Sequence, residues 1–434
     1  MNKIKLKNVI AEFIVPMRDK PKSFDGLTPW CRIEDIEGKY IYRSISNQNV
    51  SDNTIQEMNL KVYPIGTLLF SCSASIGKTA ITKSKLCSNQ TFIGLVPSKE
   101  LDVEYLYYYL TKVGTSLSSA ASITTIPYLS KSFFQEFEIF LPNMSIQRKI
   151  SSVLSVLDNK IELNNKINVE LEAMAKTLYD YWFVQFEFPN EAGKTYKSSG
   201  GKMVYNDVLK REIPEGWEVK RLEDVCNIID CLHSKKPDYN YEDDNCYLLQ
   251  LNNLLDNGLI DVSKKYFVSK DKFKEWTSRI LIKEHDILFT NAGRVAQTTQ
   301  VQKEIISGIG RNITAVRPFD IEPTFCFLAI NSFDIQNQIM TNIDQGAFFQ
   351  SFNVKGIKVL QILYPPKLYR EKFEKIVYSL RRKRELNLKQ NQELSSLRDW
   401  LLPMLMNGQV KVDDIKDEVL GMVAEDKMEY KKSI

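Results

Sequence analysis

Leu141-Pro142-Asn143-Met144-Ser145-Ile146-Gln147-Arg148-Lys149-Ile150 opens a stretch that continues SSVLSVLDNKIELNNKINVELEAMAKTLYDYWFV to Val184, and the chain carries it twice. The second copy opens Tyr364-Pro365-Pro366-Lys367-Leu368-Tyr369-Arg370-Glu371-Lys372-Phe373 and continues EKIVYSLRRKRELNLKQNQELSSLRDWLLPMLM to Met406. One shift of 223 positions aligns the two without a gap. It sets Pro142 on Pro365, Lys149 on Lys372, Leu157 on Leu380, Glu162 on Glu385, Leu163 on Leu386, Asn164 on Asn387 and Asn168 on Asn391. Glu170, Leu171 and Leu178 fall on Glu393, Leu394 and Leu401. So many matches in one register argue for duplication, and a repeat of so long a period fixes the architecture before any motif is sought.

Both copies read as long helices. Ile150, Val153, Leu157, Ile161, Leu171, Met174 and Leu178 recur at helical steps in the first, and Phe373, Ile376, Leu380, Leu394, Leu397 and Leu401 in the second. That is the narrow apolar stripe of a coiled-coil seam. Pro142 and Pro365 stand ahead of the helices, where proline does no harm. At 1.5 Å per residue a helix of roughly 40 residues spans about 60 Å, so each needs a helical partner along its length. Asn164 and Asn168 interrupt the first stripe, and Asn387 and Asn391 the second. They could lie on a solvated face. The matched spacing favours a seam instead, with the helices antiparallel and the asparagines meeting near the centre to set register.

The segments ahead of each helix correspond more weakly. Gly66-Thr67-Leu68-Leu69-Phe70-Ser71 parallels His285-Asp286-Ile287-Leu288-Phe289-Thr290, and each reads as a buried strand leaving into a polar loop. Asn89–Pro97 parallels Gly310–Pro318, and a helix is expected after each, around Val103–Leu110 and around Phe325–Ile330. Loops at 122–130 and 346–353 then lead to the long helices. The plan is a globular segment at 1–144, a long helix at 145–188, a linker at 189–214 with a Lys/Ser/Gly stretch, a second globular segment at 215–366, a second long helix at 367–408 and a charged tail at 409–434.

The 434 residues are too many for one ordinary domain, and 43% hydrophobic with 11% aromatic residues suffices for real cores. A net charge of +4 neither requires nor excludes nucleic acid. Seven scattered cysteines without a CxxC pair, no apolar run long enough to span a bilayer and no apolar leader core lead us to expect a cytoplasmic protein with reduced thiols.

Motifs that could carry chemistry each fail at a named position. Cys72-Ser73-Ala74-Ser75-Ile76-Gly77-Lys78-Thr79 has cysteine where a phosphate-binding loop needs its first glycine. Cys226, Cys231, His233 and Cys246 match no paired zinc-ligand spacing, so no metal site is expected. Tyr364-Pro365-Pro366-Lys367 lacks both the polar first and the aromatic last residue of an adenine-methyltransferase tetrapeptide. Asp238, Glu242, Asp243 and Asp244 lack the following acidic-x-Lys of a nuclease cluster. Two histidines, His233 and His285, leave little for acid–base catalysis, and no catalytic residue is assigned.

Ile146–Ile150 through Leu157–Asn164, then Leu178-Tyr179-Asp180-Tyr181-Trp182-Phe183, and the entry Glu212-Ile213-Pro214-Glu215-Gly216-Trp217-Glu218-Val219 resemble the specificity subunits of Type I restriction–modification systems, over about Lys3 to Val412. The second helix departs at Arg381-Arg382-Lys383-Arg384, which stand where the first has Asp158-Asn159-Lys160-Ile161. The resemblance implies a mixed α/β (α+β) fold. It has two target-recognition domains related by a pseudo-two-fold repeat and separated by two long antiparallel coiled-coil helices. It implies a non-catalytic chain that reads double-stranded DNA as a split, asymmetric site, one half per domain. Two modification (methyltransferase) subunits would dock on it, and ATP-dependent restriction subunits would join. S-adenosylmethionine, ATP and Mg2+ would sit on those partners, with no cofactor in this chain. A single-chain methyltransferase or nuclease and a coiled-coil scaffold without DNA specificity are the competing readings.

Polar loop residues beside rigid strands are the candidates for reading DNA, since Arg and Lys suit guanine edges, Asn and Gln suit adenine, and Ser and Thr suit either. In the first half these are Ser71, Ser73, Ser75, Lys78, Asn89 and Gln90; in the second, Thr290, Asn291, Arg294, Gln297, Arg311, Asn312 and Gln350. Lys235 and Lys236 are candidate phosphate contacts.

Overall fold

The computed structural model describes residues 3–16, 20–73, 75–121, 128–232, 235–345 and 350–412, with Gly421. His233, the loop residues 122–127 and 346–349, and nearly all of the charged tail lie outside the described residues. The protein is mixed α/β and forms two compact units, Met1–Glu162 with Glu393–Ile434, and Leu163–Gln392. The division cuts both long helices, so each unit contains a piece of each.

In the first unit an almost wholly antiparallel sheet runs in the order Ile10–Ile14, Phe92–Pro97, Leu68–Ser71, Thr79–Thr82, Tyr40–Ile41, with only the last strand parallel to its neighbour. Leu68–Ser71 is buried at every position, as a continuous apolar run requires. A second sheet orders Asn49–Val50, Thr28–Cys31, Leu86–Ser88 and Val62–Tyr63. The helix expected around Val103–Leu110 runs on to Ala121. Its Leu106 and Leu110 join Ile150, Val153, Leu154 and Leu157 of the first long helix and Leu394, Leu401, Leu405 and Met406 of the second in one core. The core of the N-terminal unit is therefore completed by the chain's C-terminal helix.

The second unit repeats the scheme. One sheet orders Cys226–Asp230, Ile313–Pro318, Ile287–Thr290 and Thr298–Gln300; another orders Tyr266–Phe267, Tyr247–Leu249 and Gly308–Ile309. The helix expected at Phe325–Ile330 begins at Pro323 and is followed by a second, Phe333–Thr341. The segment expected as a linker is folded: Met203–Asn206 pairs with Arg211–Pro214, and Phe188 stacks on Tyr196 at 4.6 Å and 18°. Asp180–Val184 winds as a π-turn after the first long helix. That turn delivers Trp182 and Phe183 into an aromatic core with Trp217, Phe325 and Phe373, where Phe183 meets Phe325 at 4.8 Å and Phe373 at 4.9 Å.

The long helices are Met144–Tyr179 and Lys367–Met406, 36 and 40 residues. In the second unit they run antiparallel. Asn164 donates to Gln390 (2.6 Å) and Asn391 (2.9 Å), Asn387 donates to Asn168 (2.8 Å), and Asn391 donates to Asn165 (2.8 Å). All four repeated asparagines are buried, from 1% to 7% exposed, so they are not on a solvated face. In the first unit Arg398 pairs with Asp158 at 2.9 Å.

The apolar stripe differs from expectation at two places: Met174 and Ile376 are exposed, and Val377 takes the buried position beside Phe373. On the second helix the shift leads into the basic cluster. From Val377 the buried face runs on through Arg381 and Arg384 rather than through leucines. Arg381 pairs with Glu385 at 2.6 Å and donates to the Val301 carbonyl at 2.7 Å; Arg384 pairs with Glu172 at 2.8 Å. Burial pushes the Arg381 guanidinium down from its ordinary value, and Glu385 opposes that.

Removing one member of a buried ion pair leaves the other charge uncompensated, at a cost of about 3–5 kcal/mol. We expect Glu385→Ala to lower the urea midpoint of the full chain accordingly, with Arg381→Met plus Glu385→Leu recovering most of the loss. Equal midpoints for Glu385→Ala and the parent would show that Arg381 does not need this carboxylate.

Candidate nucleic-acid interface

The strand Leu68–Ser71 turns through a seven-residue hairpin loop into Thr79–Thr82, and Ile287–Thr290 turns through another into Thr298–Gln300. The strand at Thr79 settles the phosphate-loop question, since such a loop must open a helix. Ser71 N–H donates to the Lys78 carbonyl (2.9 Å), and Thr290 N–H to the Gln297 carbonyl (3.0 Å). Gly77 N–H donates back to the Ser71 carbonyl (3.2 Å), and Ala296 N–H to that of Thr290 (3.0 Å). Both of these residues have positive φ, 100° at Gly77 and 65° at Ala296. A Cβ on Gly77 would lie 2.9 Å from the Gly114 backbone, so glycine is required where this loop meets the helix.

The side chains complete the correspondence. Ser71 Oγ donates to the Ser75 carbonyl (2.5 Å) and accepts from Lys78 N–H (2.9 Å). Thr290 Oγ1 donates to the Arg294 carbonyl and accepts from Gln297 N–H (3.1 Å). Ser71 and Thr290 are fully buried, which withdraws both from the set of DNA-facing candidates: their hydroxyls are used up inside the loops.

The remaining candidates gather around these hairpins to different degrees. Ser75 and Lys78 are exposed and Ser73 half-buried. Asn89 and Gln90 lie alongside, because Cys72 N–H donates to the Thr91 carbonyl at 2.7 Å. Asn291 N–H donates likewise to the Asn312 carbonyl at 2.9 Å, bringing Asn312 (φ 62°) and the exposed Arg311 to the second hairpin. Gln350 is exposed on the strand whose Ser351 bridges to Ala292. Lys235 and Lys236 are exposed, but Lys236 lies 3.7 Å over the ring of Tyr266, on the other sheet of the unit.

Arg294 is committed elsewhere. It donates to Asp256 (3.1 Å) and to the carbonyls of Leu251 and Leu254, and Gln297 donates to the same Asp256 at 2.7 Å. The sequence reading missed Asp256; the turn signal Asp256-Asn257-Gly258 was there, but nothing local ties it to a loop some forty positions away. Gln90 Oε1, Asn291 Oδ1 and Gln297 Oε1 are buried acceptors with no partner among the described residues. Such acceptors call for a donor from water or from a ligand. Burial pushes the Cys72 thiol up to about 12, so it stays protonated at the loop's root. Cys226 lies 3.7 Å from Cys326 instead of joining a ligand set, and among the described residues no group of three His, Cys, Asp or Glu is placed to hold a metal.

Two halves of one plan each present a braced polar hairpin, the architecture of a duplicated chain with two equivalent loop sites. Residues 15–173 match the family described as the Type I restriction modification DNA specificity domain. The Type I restriction enzyme MjaIX specificity subunit of Methanocaldococcus jannaschii is 30% identical over 421 residues, covering 96% of this chain and 94% of that protein. The HindI specificity subunit of Haemophilus influenzae is 23% identical over 339 residues, 66% of this chain and 72% of that one. The fold is also that of the S subunit of the Type I system from M. genitalium, with a TM-score of 0.52 and 17% identity over 93% of this chain and 96% of that one. This chain belongs to the Type I restriction enzyme specificity subunits, the non-catalytic members of those enzymes.

The placements separate two arginines. Arg311→Ala should weaken or relax reading of one half-site only, by about 1–3 kcal/mol as for a lost base contact, with the melting temperature unchanged. Arg294→Ala should also lower the melting temperature, because its guanidinium holds Asp256 and two carbonyls. Thermal melts of the two variants beside methylated-motif sequencing test this, and unchanged motifs in both would remove these arginines from the reading set.

Proposed function

We propose that the chain reads a split, non-palindromic DNA sequence, one half-site by each globular half, and serves as the assembly point of its enzyme. Two modification subunits, carrying S-adenosylmethionine and methylating adenine, dock on it, and ATP- and Mg2+-dependent restriction subunits join them in the cytoplasm, where the DNA is. The observation that carries this reading is one hairpin frame built twice from loop sequences in which no position of 72–78 matches its counterpart in 291–297. A shared frame with different outward chemistry suits two readers of different bases. Two readers on one chain also meet DNA at a fixed separation, and the first contact raises the effective concentration of the second. The helix pair is the spacer that sets the unread gap, and Asn164, Asn168, Asn387 and Asn391 fix its register. Lys78 and Lys235 supply exposed positive charge for phosphate, a term that falls steeply with salt.

The test is to express this chain with its modification subunits and map methylated adenines across a genome. We expect a two-part motif with a constant gap that disappears when this chain is deleted. A continuous motif, or methylation that survives the deletion, would overturn the reading.

A further inference from the structure

Beyond the exposed readers, the two hairpins share a feature that neither exposure nor charge would have selected. At each loop root stands a hydroxyl residue with no solvent exposure, Ser71 in one and Thr290 in the other. Each donates to the carbonyl four residues on and accepts from the N–H seven residues on. None of the seven loop positions between is identical in the two hairpins, yet the root residue carries a hydroxyl in both. A hydroxyl is the smallest side chain that can both donate and accept, and both functions are used here. The strands themselves do not depend on it: Leu68 to Phe70 pair with Thr79 to Ile81, and Ile287 to Phe289 with Thr298 to Gln300, through backbone alone.

We propose that Ser71 and Thr290 are positioning residues for specificity. Each acts as an internal latch that fixes the shape of its own hairpin before DNA arrives. The side chains at 73, 75 and 78, and at 294 and 297, are then presented in one arrangement. Without the latch a part-buried carbonyl and a part-buried N–H lose the hydroxyl, keeping in the second hairpin only the 3.3 Å bond from Gln297 N–H to the Arg294 carbonyl, and the loop must rearrange to satisfy them. The sheet beneath stays paired, so the change is confined to one hairpin and to the bases it faces. Preorganisation of this kind governs discrimination more than it governs raw affinity. The inference rests on the reading of one half-site per globular half.

The experiment uses the full chain with its modification subunits and genome-wide mapping of methylated adenines. Thr290→Val keeps the shape of threonine and removes both hydrogen-bonding functions. We expect methylation at sites mismatched in one half of the motif to rise by about tenfold relative to cognate sites, the other half being read as before. Thr290→Ser restores the hydroxyl and should restore the parental motif. Ser71→Ala should relax the opposite half. The motif of the parent chain comes first: if that is not bipartite, the half-site reading itself has failed. If the parent is bipartite, three outcomes overturn the latch: both halves relaxing together in either variant, no change in either half, or loss of methylation altogether in Thr290→Val and Ser71→Ala. A failure of Thr290→Ser to rescue would do the same, since a packing role would be indifferent to the hydroxyl.

Discussion

The crosswise bonding of four buried asparagines is the contact on which the rest of this structure depends. Asn164 bonds Asn391, and Asn387 bonds Asn168. Under the shift that relates the two helices, Asn164 corresponds to Asn387 and Asn168 to Asn391. The two contacts are therefore one contact repeated about a local two-fold axis, the self-complementary logic of a symmetric dimer interface, here within one chain. Each amide is both donor and acceptor, so sliding the helices by a turn of four residues would leave one asparagine pair where there are two and set the other two amides against Ser395 and Glu172, or against Lys383 and Lys160. Asparagine is a poor way to gain stability in a seam and a good way to fix register.

This much was legible in the amino-acid sequence because duplication leaves a long-range signal that needs no tertiary knowledge. The repeat located both helices, their partnership and the polar break in the stripe. The exact face was not legible between Val377 and Arg384. Apolar periodicity cannot say that arginines will be buried, because their burial is decided by acceptors far away in sequence: Glu172, the Val301 carbonyl and the Asn257 carbonyl. The folded segment 203–214 was hidden for a related reason. The lysines, serines and glycines at 197–202 just ahead of it read as flexible, while Phe186, Phe188 and Trp217, which pack together and carry Arg211 over the Phe186 ring, lie outside that polar stretch.

The candidate DNA-facing loops were found as strand–loop–strand positions, and most of the polar residues singled out there do cluster. What composition could not separate was a polar side chain that faces out from one that holds the loop. Ser71 and Ser75 are the same residue type four positions apart, one fully buried and one exposed. Arg294 and Arg311 divide in the same way, one clamped on Asp256 and one free of such a clamp in an exposed turn. Chemistry alone nominates a set. Only the hydrogen-bond ledger of the loop says which members are already spent.

The local two-fold at the asparagines raises a physical difficulty, since a surface that is complementary to its own duplicate is close to complementary to itself. The ion pairs on the helices resolve it. Arg398 meets Asp158, and Arg384 meets Glu172. Under the same shift the counterpart of Arg398 is Ala175 and that of Asp158 is Arg381; the counterpart of Glu172 is Ser395 and that of Arg384 is Ile161. Were the first helix to pair with another first helix in this register, Asp158 would face Ala175 and Glu172 would face Ile161. Were the second to pair with a second, Arg398 would face Arg381. Self-pairing thus forfeits both ion pairs, and in one case sets like charges together in a partly buried seam, where repulsion is screened least. The basic cluster that breaks the repeat is what makes the two helices choose each other.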